Sequence, residues 1–222
     1  MRIILLLLCK GFIQFKIGEI FMHTNAIRKL KPLAQTRFLN LYDAEYENKK
    51  GMTKHWMIAS RKDYDTLSTQ YFHKGEEKTD AVVIAALHKE SEKLVLIKQF
   101  RLPLNDYIYE LPAGLIDPNE TLETTLGREL KEETGLELVS LVKAQDKLYL
   151  SAGMTDESVC LMYCICTGEV SIDYLEADED IEPFLVSRED AEKLLQSGEK
   201  LDIKTYLLLQ SFVKLGSALF TE

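Results

Sequence analysis

Apolar and polar residues alternate along residues 38–47, FLNLYDAEYE, then Asn48-Lys49-Lys50-Gly51 supplies a turn and residues 53–61 resume the alternation. That pattern predicts a β-hairpin. Residues 62–79 are polar and carry Gly75, and are read as a short strand and a loop. Ala81 to Leu87, AVVIAAL, is continuously apolar and predicts a buried strand. His88 to Lys93 reads as a turn and Leu94 to Phe100 as the next strand, before Pro103 and Asn105-Asp106 mark a loop. Tyr107 to Leu111 is a short strand. Thr121 is the predicted N-cap of a helix reaching about Thr134, with Gly135 as its terminator. Gly127 inside that helix costs about 1 kcal/mol against Ala, and close packing against a neighbour would account for it. Further strands are predicted over residues 138–149, 158–167 and 184–186. A Ser187-capped helix ends near Gly198, and an apolar helical stripe runs over residues 201–215. Strands and helices mixed in this order predict an α/β or α+β fold.

The predicted helix over residues 121–134 carries unusual chemistry. Glu129, Glu132 and Glu133 stand at i, i+3 and i+4, which puts three carboxylates on one face. Like charges so placed repel by a few tenths of a kcal/mol per exposed pair. A hard divalent cation reverses the sign, and oxygen-only ligation suits Mg2+ or Mn2+ between carboxylates and substrate phosphates.

Composition narrows the functional classes. The 222 residues are 46% hydrophobic and 28% charged, with net charge -9, which argues against general nucleic-acid binding. An anionic substrate is still compatible, because a metal and local Arg invert the field within one cleft. Cys160, Cys164 and Cys166 lie at even positions on one predicted strand with Met162, so they share a face and read as small core residues. A reducing cytoplasm is the expected compartment. Residues 3–9 form an apolar run broken by Lys10, too short to span a membrane, which takes about 20 residues. No small-residue cleavage site follows it, and Met22 is an alternative start. The expected organisation is an N-terminal extension over residues 1–35, a β region over 36–79 and a main domain over 80–222.

Gly114, Glu120, Arg128, Glu129, Leu130, Glu132, Glu133, Gly135 and Leu136 together resemble the Nudix box at every defining position. The resemblance implies an α/β/α sandwich around a mixed sheet, preceded here by an antiparallel β region. It also implies metal-dependent hydrolysis of a nucleoside diphosphate linked to a second group. By resemblance Glu129 and Glu133 are the principal metal ligands, with Glu132 and the backbone carbonyl of Ala113 assisting. Glu120 orients the cluster, and Arg128 holds one box carboxylate by a bidentate contact. Neither the box nor the loop 151–157 holds a His, so the base is expected to be a carboxylate: Glu157 first, Asp156 second.

Lys98-Gln99-Phe100-Arg101, with Glu110-Leu111-Pro112-Ala113-Gly114 and the strand carrying Trp56 and Arg61, resembles the ADP-ribose pyrophosphatase group of that family. That likeness implies a homodimer that exchanges its N-terminal sheet. Trp56 is then expected to stack on the base, Arg61 to support the nucleotide, Arg101 to contact the diphosphate and Glu110 to line the site. Core packing is the other reading of Trp56, and its odd spacing from Arg61 puts the two on opposite faces of a regular strand. The chain has Ala152 where the group has Pro. GDP-mannose or another nucleotide sugar is the alternative substrate, and a non-catalytic ADP-ribose-binding regulator the alternative class. An enzyme for oxidised nucleoside triphosphates fits poorly with the long N-terminal strands.

Overall fold

The computed structural model describes residues 26–221. The reading of Met22 as a start falls outside them. Strands β1 (Ile27–Gln35), β2 (Asn40–Glu47) and β3 (Thr53–Ser60) form an antiparallel sheet in the order β1-β2-β3. The hairpin is the one that the alternation predicts. Residues 27–35, read with the N-terminal extension, instead complete this sheet by pairing with β2.

The segment 62–79 is a correction. It contains no strand but helix α1 (Tyr64–His73). Asp63 is its N-cap and accepts from the Thr66 N–H at 2.8 Å. Leu67 and Tyr71, one turn apart, pack with Leu30, Tyr42 and Ala44 of the sheet. Capping and a 3.6-residue stripe therefore prevail over the polar composition.

The main sheet has seven strands: β4 (Ala81–His88), β5 (Lys93–Arg101), β6 (Asp106–Glu110), β7 (Ala113–Leu115), β8 (Glu137–Tyr149), β9 (Ser158–Thr167) and β10 (Ile181–Val186). The central order is β10-β5-β4-β9-β8, with β6 on β5 and β7 on β4; β4 and β9 run parallel and every other pair antiparallel. The sheet is therefore mixed.

Helices cover both faces. On β4, Val82, Ile84 and Ala86 face α2 (Leu122–Thr134), whose Leu126 and Leu130 share their core with Cys160, Met162, Cys164 and Cys166. Val83, Ala85 and Leu87 face the other way, toward Ala191 of α3 (Arg188–Gln196) and Leu208, Leu209 and Phe212 of α4 (Ile203–Leu215). The α/β/α sandwich is thus present, and the three cysteines share a buried face as their spacing predicts. No helix among the described residues is long and apolar enough to cross a membrane.

Helix α2 starts and stops where its sequence predicts. Thr121 accepts from the Thr124 N–H at 3.2 Å, and Gly135 ends the helix at φ 75°. Gly127 departs from expectation, because a Cβ there would meet only Leu138 Cδ2, at an ordinary 3.9 Å. Close packing does not require this glycine. Gly127→Ala should raise unfolding stability by up to ~1 kcal/mol in a denaturant titration. A lowered midpoint would show that the α2–β8 contact has no room for a methyl group.

Candidate functional site

The strand β7 and helix α2 face each other across the residues that carry charge. Glu129 and Glu133, one turn apart, turn their carboxylates toward β7. Glu133 Oε2 accepts from the Ala113 N–H at 2.9 Å. Glu129 lies against Gly114, where a Cβ would overlap its carboxylate. Glycine is therefore demanded at 114 by close approach, since its φ is not in the left-handed region.

Arg128 organises the cluster. Its Nε and Nη2 donate to the two oxygens of Glu120, both at 2.9 Å, in the bidentate geometry expected of a guanidinium. Its Nη1 donates to Glu129 Oε1 at 2.8 Å and Glu132 Oε2 at 2.9 Å, and Nη2 also reaches the Leu115 carbonyl at 3.0 Å. One side chain thus ties three carboxylates to β7.

Burial pushes the Glu133 carboxyl well above its ordinary range, and pushes Glu129 up in the same direction. Glu120 shows the reverse: its hydrogen bonds from Arg128, then from Thr125, hold it down at about 2 from an ordinary 4.5. Opposite contributions to acid stability follow. The depressed Glu120 stabilises the fold fully above pH 4.5, and that contribution is lost as pH falls toward 2. The raised Glu129 and Glu133 disfavour the metal-free fold once ionised, and relieve it as pH falls through their raised values. Arg128→Met should therefore remove most of the Glu120 contribution. Denaturant midpoints in chelator should differ between variant and parent above pH 4.5 and converge toward pH 2. A gap independent of pH would exclude this pairing as the cause.

Six acids, Asp117, Glu129, Glu132, Glu133, Glu176 and Glu179, line one pocket with Arg101, Arg128 and Gln99. Two of its carboxylates are desolvated by burial, and every acidic donor is oxygen. That chemistry fits a hard divalent cation. Among the described residues no three His, Cys, Asp or Glu side chains are gathered closely enough to hold a metal ion; Arg128 engages Glu129 and Glu132, and the Ala113 N–H engages Glu133. Glu120 is turned to Arg128 and does not line the pocket.

An adjoining cleft shares Arg101, Ala113, Gly114 and Leu115 with this pocket and adds Arg61, Glu110, Glu157 and Lys204. Arg101 donates through Nε to Glu110 at 2.7 Å, and Arg61 through Nε to Glu157 at 2.5 Å. The expected residues Arg61, Arg101, Glu110, Ala113 and Glu157 thus line one surface, next to Arg128, Glu129, Glu132 and Glu133. Asp156 is separated from them, bound to the buried Lys62 at 2.8 Å. Arg61 lies just past the end of β3, so strand parity does not govern it.

Trp56 is 54% exposed and is not a core residue. Its Nε1–H donates to the Gly153 carbonyl at 3.0 Å, and it lines a separate hollow with Tyr71, Tyr149 and Met154. Sequence reading missed Glu176 and Glu179, which read as an acidic loop, Asp117, which read as a turn, Gln99, and Lys204 in the first turn of α4. The charge run 176–182 was the available signal. Its approach to the cluster is made by tertiary contacts: the Phe100 N–H donates to the Asp180 carbonyl at 3.0 Å and the Tyr107 hydroxyl to Asp180 Oδ2 at 2.6 Å.

Comparison with known proteins shows the family and the fold. A NUDIX domain matches residues 77–208. The ADP-ribose pyrophosphatase of Bacillus subtilis (strain 168) is 38% identical over 143 residues, 63% of this chain and 74% of that protein. The ADP-ribose pyrophosphatase of Saccharomyces cerevisiae is 27% identical over 199 residues, 84% of this chain and 81% of that protein. The crystal structure of an ADP compounds hydrolase superposes with a TM-score of 0.58 at 17% identity, covering 86% of this chain and 95% of the other, a likeness of fold.

Proposed function

The chain belongs to the NUDIX domain family, and on that premise we propose that it is a metal-dependent pyrophosphatase that splits ADP-ribose, or a related nucleoside diphosphate sugar. The products from ADP-ribose are AMP and ribose 5-phosphate. The observation that carries this reading is the adjacency of the acidic pocket to the Arg-lined cleft, joined through Arg101, Ala113 and Gly114.

Glu129 and Glu133, assisted by Glu132 and the Ala113 carbonyl, would hold the cation, with Mg2+ the expected ion and Mn2+ an alternative. When bound, that ion neutralises phosphate charge and acidifies the attacking water. The chain's own residues do the rest. Arg101, fixed by Glu110, and Arg61, fixed by Glu157, offer guanidinium groups to the diphosphate. Trp56, exposed on the N-terminal sheet outside this cleft, offers an aromatic face to a purine by way of the sheet-exchanged homodimer. Arg128 keeps Glu129 and Glu132 in position. A carboxylate takes the proton of the water that attacks phosphorus as the bridging P–O bond breaks.

Glu157 and Glu179 compete for that base. Glu157 lines the cleft but is engaged by Arg61. Glu179 lines the acidic pocket beside Glu129 and Glu133. The charge-neutral variant of the true base should lose on the order of 100-fold in kcat, whereas the other should change mainly KM. Equal behaviour of Glu157→Gln and Glu179→Gln would exclude a single base.

The reading includes a homodimer joined through the N-terminal sheet, where Leu33, Leu41, Trp56 and Met57 are exposed. It also includes a reducing, cytoplasmic setting, with which the free buried Cys160, Cys164 and Cys166 of the described residues are compatible. Neither nucleic acid nor membrane is an expected partner.

The decisive experiment is hydrolysis of a nucleotide-sugar panel with Mg2+ and with chelator. Metal-dependent preference for ADP-ribose is the expected result. Preference for GDP-mannose would keep the chemistry and discard the adenine assignment. Binding of ADP-ribose without cleavage would replace the enzyme reading with that of a regulator.

A further inference from the structure

Two consecutive cations meet two consecutive anions at the wall of the cleft. Arg61 pairs with Glu157 at 2.5 Å, and Lys62 with Asp156 at 2.8 Å. The two rungs differ in environment. The Arg61 side chain is 39% exposed in the cleft, whereas that of Lys62 is 9% exposed and turned inward.

Lys62 is anchored on three sides. Its Nζ donates to Asp156 Oδ2 and, at 3.1 Å, to Asp80 Oδ1. Its backbone carbonyl accepts from Asn40 Nδ2 at 3.0 Å and from the Tyr42 hydroxyl at 2.9 Å, so the N-terminal sheet fixes its main chain. Asp80 in turn accepts from the Ser158 N–H at 2.9 Å, where β9 begins. The other oxygen of Asp156 is buried with no hydrogen-bond partner among the described residues. Lys62 is thus the side chain that holds Asp156.

The far end of the same segment has separate ties. The Gly153 carbonyl accepts from Trp56, and the Met154 carbonyl from the Ala59 N–H at 2.9 Å. Without Lys62, Asp156 and Asp80, both largely shielded from water, would face one another with no cation between them. Unpaired buried charge is strongly unfavourable and drives such groups toward water.

We propose that Lys62 is a positioning residue for the cleft: by clamping Asp156 against Asp80, it sets the register at which Glu157 meets Arg61. This rests on the reading of the cleft as the pyrophosphate site. Lys62 touches no substrate in this scheme and acts through its neighbours.

The test combines amide hydrogen exchange with a mutant cycle. In Lys62→Met, exchange at the Glu157 and Ser158 amides should accelerate while the amides of α2 keep their protection, and Lys62→Arg should restore the slow exchange. Asp156→Asn should produce the same local pattern, and serves if Lys62→Met does not fold. In kinetics, Lys62→Met should lower kcat/KM on the order of 10- to 100-fold in the parent, but less than about twofold in an Arg61→Ala/Glu157→Gln background, where the groups it positions are gone. Unchanged local exchange, or an equal loss in both backgrounds, would overturn the proposal. If the parent cleaves no nucleotide sugar, the functional reading fails, and the exchange data still decide the role of Lys62.

Discussion

Replacing Glu133 by Gln should make the protein a poorer enzyme and, without metal, a more stable fold. Glu133 is 3% exposed, and burial disfavours its ionised form. Gln keeps the shape and can still accept from the Ala113 N–H, but it removes the charge that burial penalises. In chelator above neutral pH, the variant should therefore unfold at a higher denaturant concentration than the parent. Turnover should fall by about 100-fold or more, equivalent to ~3 kcal/mol of transition-state stabilisation. The rise in melting temperature on adding Mg2+ should shrink as well, because a ligand stabilises only as far as it binds the folded state. Titrations in buffers of different ionisation enthalpy should show proton release on metal binding by the parent, and less by the variant, since the metal displaces the proton that burial favours. Wild-type turnover at saturating Mg2+ would eliminate Glu133 as a ligand.

The second large effect is expected at Gly114. Its Cα lies so close to Glu129 that any side chain overlaps the carboxylate. The backbone has little freedom to retreat, because Gly114 is paired with Val82 inside the main sheet. The end of the Glu129 side chain is the more mobile partner, so Gly114→Ala should displace it from Arg128 and from the acidic pocket. The expected signature is a loss on the order of 100-fold in kcat, with an unfolding midpoint close to the parent. A double mutant that keeps the obstruction but removes its charge tests the cause directly. Glu129→Gln, which keeps the bulk, should not rescue Gly114→Ala, and the two losses should be strongly non-additive. Full activity in Gly114→Ala would mean that Glu129 is not needed where the structure puts it.

Much of the molecule was legible before folding. Helix α2 is specified locally: a Thr cap, a glycine terminator, and leucines one turn apart. Its acidic face follows from helical periodicity alone, because i, i+3 and i+4 meet whatever the tertiary fold. The apolar run over Ala81 to Leu87 likewise announced a central strand, and β4 is indeed covered by helices on both faces. Helix α1 was less legible, because its signal is one cap and two apolar residues within a polar segment.

What the sequence by itself determined, then, is the presence of a carboxylate-bearing helix, the strands around it and the residue types suited to metal and phosphate. Those are short-range properties of periodicity, capping and composition. The tertiary structure decided which distant segments share the site. It brought the 176–179 loop to the acids of α2, placed Lys204 in the same cleft as Arg61, and sent Asp156 inward while Glu157 faced the cleft. Adjacent residues were thus given opposite surroundings by Lys62, 94 positions away from Asp156. Local pattern cannot encode such choices, because they depend on which buried charges find partners once sheets and helices have packed.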